Sequence, residues 1–141
     1  MTSANLYLNF LGNTEEAFTY YQGIFGGVFV ELKRFSDTPF GEKLSEAERR
    51  KIMHIRYSLG NITLMGTDIL ASQGQTLQIG TNFSVCVDAV NKAEADVFFA
   101  KLSAGGKVGM PMQDQFWGGY FGMCTDQFGV QWMVQWVGNC E

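Results

Sequence analysis

Three features of this 141-residue sequence predict an α+β fold made of two βαβββ modules. A short apolar strand, a helix opened by an Asn-x-x-Glu pair and a Gly-Gly stop follow one another near the start of the chain. The same order returns about half a chain later. Each helix is then followed by three segments of strand character, which completes the unit. The modules fall at about residues 5–70 and 81–137, and the length suits one domain over residues 1–141.

The first strand is "NLYLNFL" (5–11), apolar and bounded by Gly12-Asn13. Asn13 and Glu16 then have the spacing of a capping box, in which both side chains satisfy free amides of a first helical turn. Ala17, Phe18, Tyr21, Ile24 and Phe25 recur at helical spacing, so a helix is predicted over about 14–25. Gly26-Gly27 supplies the left-handed residue that ends it. "GVFVELKRF", "KIMHIRYSLG" and "NITLMGTDI" are the three strands that follow. The polar insert "SDTPFGEKLSEAERR" separates the first two, with a short helix from Ser45.

The second module opens with "NFSVCVDA" (82–89) as its strand. Asn91 and Glu94 form the second box, and Gly105-Gly106 ends a helix predicted over about 91–104. "KVGMPMQD", "GYFGMCTD" and "VQWMVQWV" are the closing strands. The last two are joined by "DQFG", whose Gly129 can take the positive φ of a hairpin loop.

Composition narrows the function classes. A net charge of −4 with 17% charged residues argues against a nucleic-acid partner, which needs a basic face for phosphates. The basic residues from Lys33 to Lys51 are interleaved with Glu42, Glu46 and Glu48, as in a solvated surface segment. No stretch approaches the ~20 apolar residues of a membrane span, and the start of the chain lacks the pattern of a signal peptide. Cys86, Cys124 and Cys140 form no CxxC pair, and their odd number fits no closed disulfide set. A reducing, cytoplasmic setting is expected.

Three blocks carry a family resemblance: "YLNFLGNTEEAFTYYQGIFGG", "KIMHIRYSLGNITLMGTD" and "GGKVGMPMQDQFWGGYFGMCTDQFGVQWMVQW". They resemble the PhnB-like branch of the vicinal oxygen chelate superfamily, which includes glyoxalase I, extradiol dioxygenases and bleomycin-resistance proteins. The resemblance runs from about Leu6 to Trp136. It implies the glyoxalase/bleomycin-resistance fold, with the paired modules forming a cup-shaped mixed sheet around a cavity, and a homodimer. It also implies that metal-dependent relatives draw four ligands from the opening and closing strands of the modules. The matching positions here are near Leu6, Leu64 or Met65, Asn82 and Met133. Leu is no ligand, Met is soft and Asn weak, whereas a catalytic divalent site wants three or more N or O ligands. No metal site and no cofactor are therefore expected. The branch has also been labelled a methyltransferase, yet no glycine-rich loop follows a strand of a Rossmann-like unit.

The expected partner is a small molecule held in the cup. Alternation in "VQWMVQWV" puts Gln131, Met133 and Gln135 on one face and Trp132 and Trp136 on the other. With Met133 at a ligand-type position, Gln131 and Gln135 face the cup, and the tryptophans lie beneath the helices as core. His54 and Arg56 share a face of their strand. Either His54 is a satisfied structural residue, or the pair binds an acidic or oxygen-rich group. Trp117 and Phe121 lie in a run broken by Gly118, Gly119 and Gly122, which suits pocket lining and plain packing equally. The leading function is binding of a small, largely apolar or aromatic, anionic molecule. The alternative is a lyase or isomerase acting on a vicinal-oxygen substrate, and the sequence leaves open whether the chain is catalytic.

Overall fold

The computed structural model describes residues 1–138, so Cys140 lies outside the described residues. The chain divides into two compact units, Met1–Gln78 and the residues from Ile79 onward. Each holds one four-stranded mixed sheet and one long helix, so the fold is α+β with a βαβββ order twice.

In the first unit the strands are β1 (Leu6–Phe10), β2 (Phe29–Arg34), β3 (Ile52–Leu59) and β4 (Ile62–Asp68). Their order across the sheet is β1-β4-β3-β2, with β1 parallel to β4 and the other pairs antiparallel. Helix α1 (Thr14–Phe25) matches the predicted span and buries Thr14, Ala17, Phe18 and Tyr21 at i, i+3, i+4 and i+7. It packs on β3 and β4. Phe18 meets Phe10 and Tyr57 edge-on, at ring centroid distances of 6.2 and 6.4 Å. Gly66 of β4 makes this approach possible, because a Cβ there would stand 2.8 Å from the Phe18 ring. The insert between β2 and β3 forms two 3-10 turns and the short helix α2 (Glu46–Arg49), capped by the Ser45 hydroxyl.

One expected feature is corrected here. Asn13 makes no side-chain cap to α1. The capping oxygen comes instead from Asp68 at the end of β4. Its Oδ1 accepts from the Gly12 and Thr14 amides at 3.0 Å each and from the Thr14 hydroxyl at 2.6 Å. A carboxylate at a helix N-terminus also complements the helix dipole.

The second unit holds β5 (Val85–Asp88), helix α3 (Lys92–Ser103), β6 (Lys107–Asp114), β7 (Tyr120–Thr125) and β8 (Gln131–Trp136). Its order, β5-β8-β7-β6, again places the first strand parallel to the last. Here Asn91 does cap the helix, accepting from the Glu94 amide at 2.8 Å, while the Glu94 side chain reaches the Val90 amide at 3.0 Å. Ala95, Phe99 and Leu102 form the buried stripe of α3, and Trp132 and Val134 of β8 are fully buried. The opening strand is shorter than expected: it begins at Val85, so Asn82 lies outside it. No helix among the described residues is long and apolar enough to cross a membrane.

Candidate functional site

Each sheet buries one face under its helix and leaves the other open. On the first sheet, Leu8, Phe10, Ile55, Tyr57 and Leu64 face inward. Strand alternation then turns Tyr7, Arg56 and Met65 to the open face. The pairing register places them in one row across the sheet: Tyr7 beside Met65, Met65 beside Arg56, and Arg56 beside Glu31 of β2. A bulge between Lys33 and Arg34 lets both Ile52 and Ile55 turn inward, which leaves His54 on the open face with Arg56.

His54 sits between two partners. Its Nδ1 is 3.3 Å from the Tyr7 hydroxyl, and its Nε2 is 3.3 Å from Glu31 Oε1. The Tyr7 and His54 rings are stacked, with centroids 5.8 Å apart and planes 25° apart. A carboxylate can only accept, so the Glu31 contact favours the neutral tautomer with the hydrogen on Nε2, in which Nδ1 accepts from Tyr7. Burial pushes the Tyr7 phenol above its ordinary value, partly offset by the Thr67 side chain. Tyr7 therefore keeps its proton at neutral pH and acts as a donor. The other Glu31 oxygen lies 3.9 Å from Lys33 Nζ. Glu31 is thus turned to His54 and Lys33, although its strand neighbour is Arg56. Among the described residues, no side chain pairs with the exposed Arg56 guanidinium.

The helix side of this unit carries a cleft of about 520 Å³ lined by Gly12, Glu15, Arg34, Arg50 and Lys51. All three of its cations are engaged, Arg50 with Glu46 at 3.7 Å. Arg34 holds Glu15 at 2.7 Å and the Arg50 carbonyl at 2.9 Å, and Lys51 holds the Gly12 carbonyl at 2.8 Å. The Arg34 contact lowers the Glu15 pKa. The open face is the stronger candidate, because its Arg56 has no side-chain partner among the described residues.

On the second sheet the open face is mostly apolar. One row runs Cys86, Met133, Met123, Met110, and the next runs Asp88, Gln135, Phe121, Gln113. Gln135 donates to Asp88 at 2.6 Å and Gln131 donates to the Phe83 carbonyl at 2.5 Å. Phe121 and Gln135 are direct neighbours with Met133 adjoining, so four of the predicted residues share this face. Trp117 stands apart. It lies in the turn between β6 and β7, 45% exposed, with its ring folded over Gly119. Gly122 serves packing, since a Cβ there would lie 2.9 Å from the Phe99 ring of α3 and 2.5 Å from Met112 Sδ.

Neither open face has the donor set of a divalent catalytic metal. Leu6 and Leu64 point to the helix side, so the open-face positions at those places are Tyr7 and Met65. In the second unit, Cys86 and Met133 stand opposite each other. Neither a phenol and a thioether on the first sheet nor a thiol and a thioether on the second match a hard or borderline divalent ion. No group of three or more His, Cys, Asp or Glu able to hold a metal occurs among the described residues. The thiols are also poor nucleophiles. Burial, aided by Asp126, pushes Cys124 up to about 11, and burial with Asp88 raises Cys86.

Comparison with known proteins identifies the family. Residues 3–135 match the family model described as 3-demethylubiquinone-9 3-methyltransferase. The chain belongs to that family, the PhnB-like branch of the glyoxalase and bleomycin-resistance superfamily. It is 31% identical to the YjdN protein of Escherichia coli (strain K12) over 135 residues, covering 91% of this chain and 90% of that protein. The crystal structure of PA1353 from Pseudomonas aeruginosa superposes with a TM-score of 0.81 at 34% identity, covering 95% of this chain and 98% of that one. A PhnB protein from Bacillus cereus shares the fold, with a TM-score of 0.78 at 23% identity over 96% of this chain and 99% of that one.

The family description names a methyltransferase. In this PhnB-like chain both sheets are mixed and four-stranded, and among the described residues no Rossmann-type unit with a glycine-rich turn is present. Tyr7 and Glu31 are the residues that sequence reasoning missed. Alternation in "LYLNF" was the available signal, since it separates Tyr7 from Leu6, Leu8 and Phe10. Nothing local singles out Glu31, which acts through a cross-strand neighbour.

Proposed function

We propose that this chain binds a small, largely apolar or aromatic molecule carrying an acidic group, and that it does so without a catalytic metal of the usual kind. The observation that carries the reading is the free guanidinium of Arg56 on the open face of the first sheet. Glu31, which could have neutralised it, is turned to His54 and Lys33. A planar, permanently charged fork left unpaired suits a carboxylate or similar anion. Tyr7 and His54 supply polar contacts along the same face. The second sheet, taken by itself, offers a separate surface of Phe121 and Met133 with Gln131 and Gln135, suited to an aromatic or aliphatic group. Trp117 adds an exposed aromatic at the neighbouring turn of that unit.

The dye 1-anilinonaphthalene-8-sulfonate combines aromatic surface with one anion and serves as the probe. Arg56→Ala should weaken its binding roughly ten- to a hundredfold, because a charge-assisted contact is worth about 1.5–3 kcal/mol. A chelator should leave the wild-type affinity unchanged. Equal affinities for wild type and Arg56→Ala, or binding lost on chelation, would defeat the reading.

We further propose a cytoplasmic homodimer, on the strength of family membership and of the free cysteines Cys86 and Cys124. Light scattering at micromolar concentration should give twice the 15.7 kDa chain mass. A monomer there, or recovery of the protein from a membrane or exported fraction, would contradict this proposal.

A further inference from the structure

We infer that the open face of the first sheet is a proton-transfer centre in which His54 is the base, Tyr7 donates to a carbonyl oxygen and Glu31 orients the imidazole. The inference rests on the ligand-binding reading above and adds a reaction to it.

The geometry supplies each role. Glu31 Oε1, 3.3 Å from Nε2, is a charge contact that favours the proton on Nε2 and so leaves the Nδ1 lone pair on the Tyr7 side. Stacking on Tyr7 fixes the plane of the ring. The side chain of His54 is 24% exposed, so Nδ1 is shielded but reachable. Burial keeps the phenol protonated, which is the state a donor needs. The Tyr7 hydrogen bond and the Glu31 contact are both long at 3.3 Å, and such apo contacts commonly tighten when a ligand enters. Lys33 and Arg56 are the cations of this face. Lys33 leans on the outer Glu31 oxygen, and Arg56 is left for the substrate anion.

The substrate class follows from those groups. It is a 2-keto acid with an enolisable C–H next to the carbonyl and an apolar or aromatic tail. Its carboxylate meets Arg56, and its carbonyl oxygen takes the Tyr7 hydroxyl away from Nδ1. The C3–H bond then breaks and its proton forms N–H at Nδ1. The bonding pair becomes the C2–C3 double bond, and the carbonyl π pair moves onto oxygen as an enolate held by Tyr7. If Tyr7 passes its proton to that oxygen, the product is the enol. The phenolate is then reprotonated from Nδ1–H, which lies within hydrogen-bond reach. Protons and charge balance, and no oxidant or metal is called for. Glu31 stabilises the imidazolium while it exists.

Phenylpyruvate fits this class and is the test probe. Proton NMR of the full chain with phenylpyruvate in D2O should show the C3 protons exchanging at least tenfold faster than in buffer. His54→Gln should return the rate to the buffer value, and Tyr7→Phe should lower the catalysed excess by about a hundredfold, or to the buffer rate where that is reached first. Each variant also gives up a ligand contact worth up to about tenfold in affinity, so exchange is compared at saturating phenylpyruvate, where only the chemical step is read. Glu31→Gln, at a positioning residue, should lower kcat with KM unchanged. If His54→Gln fails to fold, Tyr7→Phe removes a single hydroxyl and carries the test by itself. Wild-type protein that binds phenylpyruvate but leaves exchange at the buffer rate would overturn the inference while the binding reading stands. Wild-type protein that does not bind it, or binds it as well with Arg56→Ala, would sink the binding reading and the inference together.

Discussion

Asp68→Ala is expected to lose about 3–5 kcal/mol of stability, which is a third or more of the total for a typical domain. Asp68 is 3% exposed. It gathers four donors: the amides of Gly12, Thr14 and Ile52 and the Thr14 hydroxyl, all between 2.6 and 3.0 Å. Alanine leaves these groups without their carboxylate in a site with little water. An unsatisfied buried donor costs about 1–3 kcal/mol, and part of that is recovered by relaxation of the loop. The change also unties three segments at once, because Asp68 joins the start of α1, the Gly12 turn and the first residue of β3. Asp68→Asn keeps one acceptor oxygen for α1 but turns an NH2 toward the Ile52 amide, so about half the loss is expected. Urea unfolding followed by circular dichroism measures both. A loss under about 1 kcal/mol for Asp68→Ala would show that water or another side chain takes over its role.

That residue also shows where sequence reasoning stopped. The limits of α1 were legible, because Ala17, Phe18 and Tyr21 recur at helical spacing and Gly26, with φ of 77°, ends the helix. Its cap was not, because the capping oxygen arrives from 54 residues away. Local pattern pointed to Asn13, and tertiary structure delivered Asp68. In α3 the same local box is real, with Asn91 accepting from the Glu94 amide and the Glu94 side chain from the Val90 amide. The site was half legible for a related reason. His54 and Arg56 stand two apart on one strand and shared a face as expected, and Gln131, Met133 and Gln135 did likewise. The register between strands lies outside what alternation can give. A one-residue difference turns a strand over, so matching the family's first ligand place to Leu6 hid Tyr7, the residue that meets His54. The bulge near Met53 is equally silent in sequence, yet it is what allows Ile52 and Ile55 both to be buried while His54 stays on the open face.

Trp132→Ala should be as damaging as the loss of Asp68, at about 3–5 kcal/mol, the usual range for removing a buried aromatic. Trp132 is the largest fully buried side chain described, at 0% exposure. It lies on β8 on the face covered by α3, with Cys124 as its neighbour on β7 and Val85 on β5. Its indole N–H donates to Asp126 Oδ2 at 2.8 Å. The other oxygen of Asp126 accepts from the Phe128 and Val130 amides at 2.8 and 3.0 Å and so shapes the hairpin turn between β7 and β8. The substitution therefore opens a cavity and also takes a donor from a buried carboxylate. Trp132→Phe separates the two effects, because it fills most of the space and lacks only the N–H. It should lose about 1.5–3 kcal/mol, the worth of a hydrogen bond to a charged group. Paired with Asp126→Asn in a double-mutant cycle, it should show a coupling energy well above the ~0.5 kcal/mol of independent sites. Met133, next along the strand, points the other way, so Met133→Leu should leave stability within about 1.5 kcal/mol of wild type. If Trp132→Ala and Met133→Leu instead shifted the urea midpoint alike, the division of β8 into a core face and an open face would be wrong. The assignment of Gln131, Met133 and Gln135 to a ligand surface would then fall with it.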